Sequence, residues 1–122
     1  MLSQEHRIRT AADYRRVVRS GERLRGRFCV GYLVSAEGDA PARFGFIVSR
    51  AVGMAHTRNL VRRRLKAITA EFVAEGLSGV DVVYRAYPQA ASASFDQLHE
   101  DLRRSLEKSR TVTSASVEVT SP

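Results

Sequence analysis

Nine consecutive residues, Arg58 to Lys66 (RNLVRRRLK), carry five positive charges and no negative one. Like charges one helical turn apart repel by about 0.3 kcal/mol per pair, so the compensating charge must come from outside the chain. Phosphate is the ligand that this composition suits. Eighteen of the twenty basic residues are arginine, and a guanidinium forks onto phosphate through two parallel hydrogen bonds and stacks on bases. No acidic residue lies between Arg43 and Glu71, so ion pairs within this segment cannot absorb the charge.

Groups able to make or break bonds are scarcer. His6, His56, His99 and Cys29 share no metal-ligand spacing with one another or with the carboxylates. Asp13 and Asp81 are expected to lack the close acidic neighbour that two-metal hydrolysis requires. Cys29 stands midway along an apolar run and reads as a small core residue. His56 is the one histidine next to the basic run. No glycine-rich phosphate loop occurs. These residues describe a binding protein without an acid–base constellation.

The whole chain has 122 residues, 43% of them apolar, which suits a single domain with one core. Its net charge of +7 is unevenly spread. Residues 1–66 hold fifteen basic against five acidic side chains, and residues 67–122 hold five against eight. A clustered basic surface of this kind reads as a nucleic-acid footprint. No apolar run has the length of a membrane span and MLSQEHRIRT lacks a signal peptide's apolar stretch, so a cytoplasmic location is expected, with no membrane partner. One cysteine excludes a disulfide framework.

The elements that position these groups follow from periodicity. Thr10 with Asp13 three residues on starts a helix over about 11–20, which Gly21 ends. RFCVGYLV (27–34) and RFGFIVS (43–49) alternate as strands around the turn AEGDAP, and are expected to pair as a hairpin. In the first, Phe28, Val30, Tyr32 and Val34 share a face. A helix over about 57–75 follows, entered through AVGMAHT, where Gly53 allows a tight turn. VDVVYRA (80–86) is a third strand. Ser94 and Gln97 cap a last helix with Phe95, Leu98, Leu102 and Leu106 on one stripe. The order α-β-β-α-β-α gives an α+β fold, a two-layer α/β sandwich over residues 1–108. Residues 109–122 are expected to form a mobile tail, in which VEV offers one extra short strand.

On a wheel of about 100° per residue, Val61, Leu65, Ile68 and Phe72 of the central helix make a core stripe. Arg58, Asn59, Arg62, Arg63 and Lys66 sweep one arc beside it, while Arg64 falls on the other flank and Leu60 away from both. The helix start adds free backbone N–H groups and the positive end of the dipole. A solvated charged face is the ordinary reading of such an arc. The missing acidic partners favour a nucleic acid.

The segment SRAVGMAHTRNLVRRRLKAI resembles the signature of the bacterial ribonuclease P protein subunit family, on Ser49, Arg50, Gly53, Ala55, Arg58, Asn59, Val61, Arg62, Arg63 and Lys66. HRIRTAADYRRVVRSGERLRGR is similar to that family's N-terminal segment and DVVYRAYP to its last strand, so about residues 2–107 are covered. The resemblance implies an auxiliary protein of a ribonucleoprotein that removes the 5′ leader of precursor tRNA, with catalysis and most Mg²⁺ binding carried by the RNA and no metal held tightly by the protein. Its partners would be the catalytic RNA and precursor tRNA, with no DNA. Arg58, Asn59, Arg62, Arg63 and Lys66 would contact RNA near the cleavage site, supported by Arg7, Arg9 and Arg50. Tyr14 and Tyr32 match aromatic positions of a leader cleft between the first helix and the sheet, which Val18 and Phe28 would complete. The family also joins its parallel strands by a left-handed crossover, against the usual rule. Two departures stand out: Leu60 replaces a customary basic residue, and Val18 a frequent aromatic. Other RNA-binding modules, a DNA-binding domain and a small self-sufficient nuclease are the competing readings.

Overall fold

Thr10 turns the chain into its first helix. Its hydroxyl accepts a hydrogen bond from the Asp13 amide at 3.1 Å, filling one of the donors that a helix start leaves open. The computed structural model describes residues 2–111. It comprises helix α1 (Ala11–Ser20), strands β1 (Glu22–Arg25), β2 (Cys29–Ser35) and β3 (Arg43–Ile47), helix α2 (Ala55–Ala74), strand β4 (Val80–Ala86) and helix α3 (Phe95–Lys108). Short 3₁₀ turns occupy Gln4–His6 and Pro88–Ser92. The α+β class and all three helices agree with the sequence reading. The additional strand is β1, at ERLR; VEV lies outside the described residues.

The sheet order is β1-β2-β4-β3. β2 pairs antiparallel with β1 and β4, and β3 runs parallel to β4. The expected hairpin between the second and third strands is therefore corrected, because β4 lies between them. β4 is buried on both faces except at Arg85, and such a strand belongs at the centre of a sheet. The loop after β2 is engaged elsewhere. Ala36 donates to the Gly79 carbonyl at 2.8 Å and Gly79 to the Ala40 carbonyl at 2.8 Å, which ties this loop to the entry of β4. Helix α2 then supplies the crossover that parallel neighbours require.

Helices cover both faces. Val61, Leu65, Ile68 and Phe72 of α2 and Leu98, Leu102 and Leu106 of α3 pack with Leu33, Phe44, Val82 and Tyr84. On the other face, Ile8 and Val17 close over Val30, Tyr32 and Val83, so α1 has a small core of its own. Helix α3 is fastened at its middle and beyond its end. The Asp101 carboxylate accepts backbone N–H bonds from Arg27, Phe28 and Cys29 at 2.6, 2.9 and 3.2 Å. Glu22 accepts from the Ser109 hydroxyl at 2.7 Å and the Arg110 amide at 2.9 Å. The first residues of the expected tail are thus anchored, and residues 112–122 lie outside the described residues. No helix among the described residues is long and apolar enough to cross a membrane.

Candidate nucleic-acid interface

The basic ridge forms as its periodicity requires. The core stripe of α2 is buried, which leaves Asn59 and Arg63 exposed and Arg58, Arg62 and Lys66 half-buried beside it. Arg62 donates to the Asn59 side-chain oxygen at 3.1 Å and to the Val48 carbonyl at 3.3 Å, so the ridge is held against the end of β3. Arg58 Nε is buried without a hydrogen-bond partner among the described residues. None of Arg58, Arg62, Arg63 and Lys66 has an ion pair among the described residues. Arg64 is different: its guanidinium donates to the Ala93 carbonyl at 2.7 Å and fastens α2 to the loop before α3. Leu60 is 37% exposed on the same helix, where it adds an apolar spot and no charge.

A groove of about 440 Å³ lies on the opposite face of the sheet, lined by Tyr14, Arg15, Val18, Arg19, Ile47 and Arg85. Tyr14 sits flat against β3 because residue 45 is glycine: a Cβ there would approach the tyrosine ring to 2.6 Å. The Phe46 amide donates to the Tyr14 hydroxyl at 3.1 Å, which fixes the ring and satisfies an edge amide. Tyr14 and Val18 of α1 both line this groove. Arg15, Arg19, Ile47 and Arg85 were missed. For Arg85 the signal was present, since Asp81, Val83 and Arg85 alternate onto one face of β4. Tyr32 lies on the groove's side of the sheet but is only 7% exposed, with the Arg23 guanidinium 6.0 Å from its ring centre. Phe28 corrects the expected shared face. It precedes β2 in the turn gripped by Asp101, so strand alternation does not reach it, and it packs in the main core.

Ridge and groove meet at the end of β3, where Ile47 lines the groove and the next residue, Val48, holds Arg62. A family model described as Ribonuclease P matches residues 2–110. The chain belongs to the ribonuclease P protein family. It is 47% identical over 107 residues to the ribonuclease P protein component of Pseudarthrobacter chlorophenolicus, covering 88% of this chain and 79% of that one. The corresponding component of Kocuria rhizophila is 50% identical over 103 residues, covering 84% and 90%. Among solved structures, the RNase P protein of Staphylococcus aureus superposes with a TM-score of 0.74 at 25% identity, covering 84% of this chain and 93% of that one.

In this ribonuclease P family chain, several other ionisable groups have structural partners. Asp81, which is 4% exposed, takes Arg16 at 2.8 Å and Arg43 at 2.8 and 3.0 Å. The same two arginines reach Asp13 at 3.4 and 3.6 Å. Asp13 and Asp81 do share a neighbourhood, contrary to the sequence expectation, but two guanidinium groups fill it. Burial works against the Asp81 charge, yet the bonds from Arg43 and Arg16 outweigh it and hold the carboxyl below its usual pKa. Such a pair does not fit a metal ion, and among the described residues no three His, Cys, Asp or Glu side chains gather as ligands. Burial, with Asp101 nearby, pushes the Cys29 thiol up to about 12, which makes it inert. His6 bonds the Ala42 carbonyl at 2.7 Å and His99 meets Glu71 at 3.2 Å. Arg7 donates to the Leu2 carbonyl at 2.9 Å, while Arg9, Arg50 and His56 are exposed.

Proposed function

We propose that this chain is the protein subunit of a ribonuclease P holoenzyme, in which it grips RNA and leaves the cleavage of precursor tRNA to the RNA subunit and RNA-held Mg²⁺. The observation that carries this reading is the meeting of an unpaired basic ridge with a groove of mixed aromatic and arginine lining, in a chain of this family. The ridge, Arg58, Asn59, Arg62, Arg63 and Lys66, offers fixed positive charge for structured RNA backbone near the cleavage site. The groove suits the single-stranded 5′ leader: phosphate charge is met by Arg15, Arg19 and Arg85, and a base stacked on Tyr14 contributes about 1–3 kcal/mol. With Val18 where a larger ring would fit, fewer bases stack at once.

Reconstitution tests the reading directly. The purified chain, ribonuclease P RNA and precursor tRNA are combined in the cytoplasmic Mg²⁺ range, and each is omitted in turn. Cleavage is expected only with the RNA subunit present and is faster at low Mg²⁺ with the chain added. The holoenzyme should bind leader-bearing tRNA more tightly than mature tRNA. Cutting by the chain without RNA, or equal affinity with and without a leader, overturns it.

A further inference from the structure

The groove accounts for Arg15, Arg19 and Arg85, and the α2 ridge for its own five polar residues. Exposed arginines on β1 are left over, and the strand register gives them a place. Arg25 pairs with Val30 on β2, Val30 with Arg85 on β4, and Arg85 with Ile47 on β3. Side chains of directly paired residues share a face, so these four form a row across the sheet on the side that α1 covers. With strands about 4.8 Å apart, the row spans roughly 14 Å. At its β3 end the next residue, Val48, holds Arg62 of the ridge. One line therefore leads from the ridge over Ile47 and Arg85, past Val30, to Arg25.

Charge on this face is sorted along the strands. Four residues back along β4, Asp81 is met by Arg16 and Arg43, and that end is neutralised. At the other end Arg15, Arg19, Arg25 and Arg85 are all exposed, and none has an ion pair among the described residues. Tyr87, two residues after Arg85, is half-buried against the cluster that contains Val30. Unneutralised arginines in line with an aromatic are the chemistry that tracks a single strand of RNA.

We propose that the leader track does not end with the groove but continues across the sheet to β1. Leader nucleotides next to the cleavage site lie by the α2 ridge, and those further 5′ cross Arg85 to reach Arg25, whose guanidinium takes a leader phosphate. The proposal rests on the leader reading above and adds direction and length to it.

The test uses the reconstituted holoenzyme and precursor tRNAs whose leaders are lengthened one nucleotide at a time. With the parent chain, affinity rises until the track is full. With Arg25→Ala the rise stops at a shorter leader, and the gain from shortest to longest falls about fivefold, the size of one charge-assisted hydrogen bond at an exposed site. Arg25→Lys, which keeps the charge, restores most of that gain. On the longest leader, the slope of log affinity against log salt falls by about 0.7 in Arg25→Ala, as expected for one single-strand phosphate. A gain from leader length equal to the parent's overturns the β1 track and leaves the groove intact. So does an equal loss on mature tRNA, because Arg25 would then touch the tRNA body or the catalytic RNA. If the parent itself shows no leader preference, the groove reading fails and this extension fails with it.

Discussion

Asp81 and Arg43 face each other across neighbouring parallel strands, and the carboxylate receives two guanidinium bonds, from Nε at 3.0 Å and from Nη2 at 2.8 Å. Arg16 of α1 joins the same carboxylate, so the pair fastens α1 to the sheet. Asp81→Ala would leave two guanidinium groups facing an empty, desolvated site. The expected loss is about 3 kcal/mol, at the low end for a broken buried pair because both arginines also reach solvent. Urea unfolding measures it. The folded Asp81 pKa lies below its ordinary value, so this contribution is complete above the unfolded carboxyl pKa and is lost as pH falls through the folded one. The parent's urea midpoint should hold from neutrality to about pH 5 and then drop, and the Asp81→Asn midpoint should fall less steeply there.

Gly45 and Tyr14 make a second prediction. A methyl group at residue 45 would lie 2.6 Å from the tyrosine ring, so Gly45→Ala must lift Tyr14 away from β3 and release the Phe46 amide. Overpacking of this kind costs about 1–3 kcal/mol. The displaced ring also spoils the groove, so affinity for precursor tRNA should fall while that for mature tRNA stays. Tyr14→Phe keeps the ring and loses only the hydroxyl, with an expected cost of about 1 kcal/mol. Paired binding curves on the two tRNAs separate the two effects.

What could be read from the sequence was local. Val61, Leu65, Ile68 and Phe72 repeat at helical spacing, and α2 with its arc of arginines follows from that repeat alone. The strand partners did not. RFCVGYLV and RFGFIVS alternate and stand one turn apart, which mimics a hairpin, and only the two-sided apolarity of VDVVYRA hinted that it would come between them. ERLR escaped notice because four residues with alternate arginines look like a polar linker. Its strand character comes from pairing with β2. The groove was half legible. Tyr14 and Val18 carry an aromatic and apolar signal, whereas Arg15, Arg19 and Arg85 are three of eighteen arginines, and their convergence is a product of tertiary structure. The Asp13–Arg16–Arg43–Asp81 cluster is invisible for the same reason.

Tyr32 changes its meaning once its burial is known. At 7% exposure it supports the floor under α1 beside Val30 and Val83. Tyr32→Ala should therefore act first as a cavity in the smaller core, costing about 3 kcal/mol in urea unfolding. Tyr32→Phe preserves the packing and should leave leader affinity within about twofold, since that ring buries nearly the same apolar area. A large loss of precursor affinity in Tyr32→Phe, with stability retained, would instead mean that the hydroxyl reads the leader.

The ridge can be told from ordinary surface charge by its salt dependence. Arg63 is exposed and Arg62 half-buried, and each is placed to take a phosphate. Replacing either by alanine should weaken binding to the catalytic RNA and lower the slope of log affinity against log salt by about one. Arg64, the next residue in the same basic run, spends its guanidinium on the Ala93 carbonyl. Arg64→Ala should thus reduce stability by about 1 kcal/mol, the worth of a hydrogen bond to a charged donor at a half-buried site, and leave the salt slope alone. The contrast matters because the three residues are adjacent in the sequence and carry the same charge. If all three variants lower the slope equally, binding depends on total charge, and the geometry of the arc is irrelevant. If only Arg62 and Arg63 do so, the face of the helix, set by where its apolar stripe meets the core, chooses which arginines meet RNA.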